Sequence, residues 1–210
     1  MGRRVRPAHL LAVFLALFVA QCAAVQTSSP PASAALPPRG DLFEYGFASE
    51  QELENFEPLA GSWKVFAGSL SCTSKGAREE LCWRRELSPS GSLAIRLFGA
   101  SVITVALRAR DAETTVRLDC AEARITVAAG GKRLLELPFE APASQLLDFT
   151  VVWSGECVLV QVGTDEPVRV KRPATAPFDG LSLLSAGSQP RVDELLIARD
   201  QVLPSEAARS

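Results

Sequence analysis

Period-two alternation constrains this chain more than any other feature. Ile103, Val105, Leu107 and Ala109 alternate with Thr104, Ala106, Arg108 and Arg110. Val116, Leu118 and Cys120 alternate with Thr115, Arg117 and Asp119, and Phe149, Val151 and Trp153 alternate with Thr150, Val152 and Ser154. Successive side chains of a strand point to opposite faces, so each run places one row in a core and the other row away from it. Turn residues recur at spacings of about ten: Ser88-Pro89-Ser90-Gly91, Gly99, Asp111, Gly130-Gly131, Ser154-Gly155-Glu156, Gly163 to Pro167 and Gly187 to Pro190. Short strands with this punctuation specify an all-β jelly-roll β-sandwich of two antiparallel sheets. Only Gln51 to Phe56 suits a helical turn. The pattern holds from Leu42 to Asp200, which predicts one domain over 42–200 and a tail over 201–210.

The segment ahead of that domain has a different composition. Arg3, Arg4 and Arg6 precede an apolar run from Ala8 to Ala20, too short for a comfortable membrane span and built like a secretory signal. Two processing routes compete. Cys22-Ala23-Ala24 suits a peptidase cutting before Val25, which makes 1–24 a signal peptide. Val19-Ala20-Gln21-Cys22 instead resembles a bacterial lipobox, in which Cys22 is lipidated, with Gln21 departing from the small residue normal before the cysteine. Residues 25–41 are rich in Ser, Pro and Ala, a composition that cannot bury a core and reads as a disordered spacer. Both routes predict an extracytoplasmic protein, secreted or envelope-anchored. Its contact with membrane runs only through the signal or a lipid at Cys22.

Removing that segment also removes His9, the single histidine of the 210 residues. The domain then holds no imidazole, which excludes His-based triads, Cys–His dyads and His-ligated metals. Its formal charge moves from −2 to −5, so there is no bulk attraction for nucleic acid. Cys72, Cys82, Cys120 and Cys157 remain, an even number in an oxidising compartment. Three pairings exist; Cys72–Cys82 and Cys120–Cys157 are favoured, and four buried thiols are the alternative.

Two stretches carry a family resemblance. The first runs Phe47-Ala48-Ser49, Phe56, Gly61-Ser62-Trp63-Lys64-Val65 and Gly68-Ser69-Leu70; the second runs Gly180-Leu181-Ser182-Leu183 and Val192 to Ala198. Together they resemble the concanavalin A-like lectin/glucanase superfamily, in particular its laminin-G-like and 3-keto-disaccharide-hydrolase-type jelly-roll domains. The resemblance implies that the chain ends pair near each other in one sheet and that a concave sheet face carries any sugar site. It also implies a structural role for Asp193. The glucanase branch carries Glu-x-Asp-x-Glu on one strand, and this chain has no such triplet.

Without histidine, catalysis rests on paired carboxylates. Asp111, Glu113, Asp119 and Glu122 cluster in sequence; Asp111 and Glu113 read as turn residues, and Asp119, beside Arg117 on its strand, is the one weak catalytic candidate. A binding reading draws on Arg108, Arg110, Arg117 and Arg124 as polar forks with Asp119, and on Trp83 as the tryptophan most expected at the surface. Trp63 and Trp153 read as packing residues. No dedicated metal motif is present; calcium is the one cofactor with a conceivable oxygen-donor site, at the acidic pair Asp193-Glu194. The leading expectation is a non-catalytic domain whose partner is a glycan or an envelope protein. A carboxylate-dependent sugar hydrolase and a purely structural envelope protein are the alternatives. The oligomeric state has no sequence signal.

Overall fold

The computed structural model describes residues 41–74, 76–98, 102–140, 146–173 and 176–200. The signal peptide, Cys22, nearly all of the spacer and the tail lie outside them. Fifteen strands and one short 3-10 helix, Glu50–Asn55, make up the described residues. The strands are β1 Leu42–Tyr45, β2 Phe56–Ala60, β3 Trp63–Phe66, β4 Ser69–Cys72, β5 Glu79–Trp83, β6 Gly91–Phe98, β7 Val102–Ala109 and β8 Glu113–Asp119. They continue with β9 Arg124–Ala129, β10 Lys132–Pro138, β11 Leu146–Trp153, β12 Cys157–Val162, β13 Val168–Lys171, β14 Phe178–Ser185 and β15 Arg191–Arg199.

The strands form two antiparallel sheets, as the alternation predicts. Sheet A has the order β13-β12-β11-β6-β15-β4-β3, with β1 also pairing β15, and sheet B has the order β10-β9-β8-β7-β14-β5-β2. Neighbours such as β6 with β15 and β7 with β14 are far apart in sequence, so the chain crosses between sheets in jelly-roll fashion.

The alternating rows meet between the sheets. Ile103, Val105, Leu107, Val116 and Leu118 of sheet B and Leu93, Phe149, Val151 and Trp153 of sheet A are all fully buried there. Each such side chain stabilises the fold by about 1.5–3 kcal/mol relative to leaving it in water. The indole N–H of Trp153 donates to the Ser88 carbonyl at 3.0 Å, so the deepest aromatic leaves no polar atom stranded. Gly91 is required beside it, because a Cβ there would collide with the Trp153 ring and the Ala198 carbonyl.

Turn chemistry explains the hairpins. Gly130 and Gly131 link β9 to β10 with φ values of 55° and 77°, a backbone that L side chains rarely adopt. The β7–β8 turn closes with the Ala109 amide donating to the Ala112 carbonyl at 2.9 Å. The two ends of the domain meet in sheet A. Leu42 is the register partner of Ala198, the Arg199 amide donates to the Asp41 carbonyl at 2.9 Å, and the Arg199 guanidinium pairs with the Asp41 carboxylate.

Neither favoured disulfide is seen in the structure, where Cys72, Cys82 and Cys157 are free thiols. The faces explain why. Cys72 on β4 of sheet A is in the core, whereas Cys82 on β5 of sheet B alternates with core residues Leu81 and Trp83 and belongs to the row facing away from it. Cys120, after β8 of sheet B, packs against the core, whereas Cys157 opens β12 out of phase with the core residues Val158, Val160 and Val162.

Candidate functional site

Sheet B has one face in the core and one face away from it. Residues alternating with the buried rows occupy the second, and strand register sorts them into rows that cross the sheet. One row is short-chained throughout: Cys82, Ser182, Ala106, Thr115 and Ala128, on β5, β14, β7, β8 and β9. Five adjacent strands make this a trough roughly 19 Å long. Gly180, Arg108 and Glu113 lie along one side of it, and Glu80, Leu184, Thr104, Arg117, Thr126 and Glu136 along the other.

Long charged side chains wall the trough, and they are paired with one another. Arg108 pairs with Glu80 and lies 3.5 Å from Glu113. Arg78 lies 3.4 Å from both of those carboxylates. Further along, Arg117 meets Asp119 at 2.9 Å, Arg124 meets Glu136 at 2.6 Å, and Arg133 also pairs with Glu136. Arg108 and Glu80 sit on strands either side of β14, opposite Gly180 and Leu184. In a flat sheet their Cα atoms would be about 13 Å apart along the strands and about 10 Å apart across them. Their ion pair therefore reaches over the trough between them, above Ser182.

Of the residues singled out from sequence, Arg108, Arg117, Asp119 and Arg124 share this face. Arg110 does not. It follows the end of β7 and lines a separate depression of about 350 Å³ with Ala176, Pro177 and Asp179. Trp83 is corrected outright: it is 3% exposed, packs edge-on against Phe43, and donates its indole N–H to the Tyr45 hydroxyl at 3.1 Å. Its neighbours Arg84 and Arg85 suggested a surface position, but parity with Leu81 puts it in the core. Trp63 and Trp153 are buried as expected, so no tryptophan forms a stacking platform on this face.

Glu113 is not a turn residue; it opens β8 directly opposite Arg108. Glu80 and Arg78 were missed altogether. The available signal was Glu79-Glu80 in front of the apolar Leu81 and Trp83, a place where a buried strand rarely carries two acids. Both are buried: Glu80 in the pairs above, and Glu79 where its Oε1 accepts the Gly76 amide at 2.6 Å. Asp193 sits where the β15–β6 register slips, next to the Arg96 cluster of sheet A.

Asp119 carries a shifted pKa. Burial works against its charged form. The Arg117 guanidinium and the backbone N–H groups of Glu122 and Ala121 outweigh that and hold it below the ordinary aspartate value. Among the described residues, no group of three or more His, Cys, Asp or Glu side chains is placed to hold a metal ion.

No protein-family model matches the sequence, and no curated protein matches it. Solved structures do match. A carbohydrate-binding module, CBM66, from Bacillus subtilis aligns over 67% of this chain and 94% of its own, at 9% identity and a TM-score of 0.55. SCLam, a non-specific endo-β-1,3(4)-glucanase of family GH16, aligns over 80% and 94%, at 12% identity and 0.59. The metal-free form of lectin I-B4 from Griffonia simplicifolia aligns over 75% and 98%, at 9% identity and 0.57. What these structures share with this chain is the two-sheet jelly-roll fold. Identities this low establish the architecture and leave the activity to the side chains.

Proposed function

We propose that this domain is a non-catalytic glycan-binding module. The observation that carries the reading is the trough of short side chains across five strands of sheet B, walled by paired arginines and carboxylates. Hydroxyl-rich chains are recognised by such paired donors and acceptors, and the partly exposed Thr115 and Ala128 of the floor leave room for a ring to lie close to the sheet. The matched carbohydrate-binding module, glucanase and lectin share this architecture, which supports the same use of it here.

The hydrolase alternative has one observation in its favour: Glu80 and Glu113 converge on the same arginines. It is the weaker reading, because a glycosidase needs one carboxyl that hands a proton to the leaving oxygen. Each acid of this face is already engaged by a guanidinium. Export, lipidation at Cys22 and anchoring through the 25–41 spacer belong to the same proposal. They are supported by the composition of the first 41 residues, and they put the module where envelope glycans or an envelope protein are the available partners.

The test is a glycan array together with a pull-down from envelope extracts, using the wild type and Ala128→Trp, which fills the trough. The wild type is expected to retain a glycan that the filled variant loses. Empty results from both would overturn the reading, and release of shortened sugars would favour the hydrolase.

A further inference from the structure

Ser182 is fully buried on the trough floor, and its Oγ has no hydrogen-bond partner. Buried hydroxyls are normally satisfied, so an orphan one at the centre of a binding face needs a reason. Its register neighbours supply none. Ala106 is apolar, and the Cys82 thiol turns to the Trp83 carbonyl at 3.5 Å, with Arg108 Nη1 at 4.0 Å from its sulfur. Gly180, opposite Arg108, has no side chain to divert the arginine stem, which runs past it toward Glu80.

We propose that the Arg108–Glu80 pair is a strap over a hydroxyl-binding subsite floored by Ser182 and Cys82, which takes one unit of a neutral glycan when the strap swings aside. The proposal rests on the glycan-binding reading above. Two features of the pairing support it. Opening leaves neither partner alone: Glu80 keeps Arg78 at 3.4 Å, and Arg108 keeps Glu113 at 3.5 Å. Opening therefore breaks one contact while each partner keeps an opposite charge beside it, as a strap requires. The ring of charge around the subsite is also balanced, two arginines against two glutamates. It offers no net attraction to an anionic or cationic sugar, but many donors and acceptors to an uncharged one.

The Cys82 thiol reports on the strap directly. Alkylation of the full chain with iodoacetamide, read site by site by peptide mass spectrometry, is expected to modify Cys82 several-fold faster in Glu80→Gln than in the wild type. Buried Cys72 and Cys157 stay slow in both, and Arg108→Gln serves as the second variant if the first melts early. Equal Cys82 rates in wild type and folded variants would overturn the strap.

Ligand binding is then measured with laminarin, mannan and dextran as neutral probes and polygalacturonate as the acidic one. A neutral probe is expected to protect Cys82, and Ser182→Ala to weaken its binding several-fold without changing the alkylation rate in its absence. A neutral glycan that binds without protecting Cys82 and is indifferent to Ser182→Ala would overturn the subsite and leave the glycan-binding reading standing. Preference for polygalacturonate would overturn the neutral class. If no probe binds and the glycan array is also empty, the broader reading falls and takes the subsite with it.

Discussion

At the scale of single residues, Asp119 illustrates how this face holds its charges. Burial alone would raise its pKa, but Arg117 and two backbone amides bring it below the ordinary value near 3.9. A carboxyl whose folded pKa lies below its unfolded one stabilises the fold fully above the unfolded value. That contribution is lost as pH falls through the folded value. Asp119→Asn is therefore expected to be less stable than the wild type at neutral pH, and the gap is expected to close on acidification below about pH 4. Denaturant midpoints measured from neutral pH down into the acid range check this. A gap that stays constant would show that the Arg117 pair does not contribute. Sequence placed Asp119 beside Arg117 correctly, because two residues apart on a strand means the same face. It misplaced Trp83 by giving the adjacent arginines more weight than parity.

At the scale of strands, sheet A carries a counterpart to the sheet B pairs. Arg96 on β6 is the register partner of both Asp148 on β11 and Glu194 on β15, and it reaches each at 2.9 Å. Desolvation pulls against its charge, yet hydrogen bonding to Asp148 and the fields of Asp148, Glu194 and Asp193 win and raise its pKa. One arginine thus pins the register of three central strands. A double-mutant cycle of Arg96→Gln with Glu194→Gln is expected to give a coupling of about 0.5–1 kcal/mol, shrinking with added salt. A cycle that closes to zero would reduce the pair to a surface ornament. The strands were legible because their apolar rows repeat at two. Glu80 and Arg78 were not, because ion pairs such as Arg78–Glu113, 35 residues apart in sequence, leave no periodic trace.

At the scale of the whole domain, two layers hold together by their apolar rows. Cys72, Cys82 and Cys157 are free thiols, and in each expected pair one member packs against the core while the other is out of phase with it. Reductant is accordingly expected to leave the thermal midpoint unchanged, and a fall on adding it would contradict the thiol assignment. The even cysteine count carried the expectation of pairing, but a count says nothing about which sheet each residue enters. The jelly-roll class was readable from alternation and turns. The trough was not, since it is a row across five strands that only their register brings side by side.

The meeting of the domain's two ends has a consequence for engineering. Asp41 and Arg199 are joined by a backbone hydrogen bond and an ion pair, so the segment from 41 to 200 begins and finishes at one spot. Domains with adjacent ends can be spliced into a surface loop of a host protein without prising that loop open. The same closeness allows the old ends to be joined and new ones cut in a turn such as Gly130-Gly131. The sheet B face, borne by β5, β7, β8, β9 and β14, would travel with the block as cargo, unaware of the host.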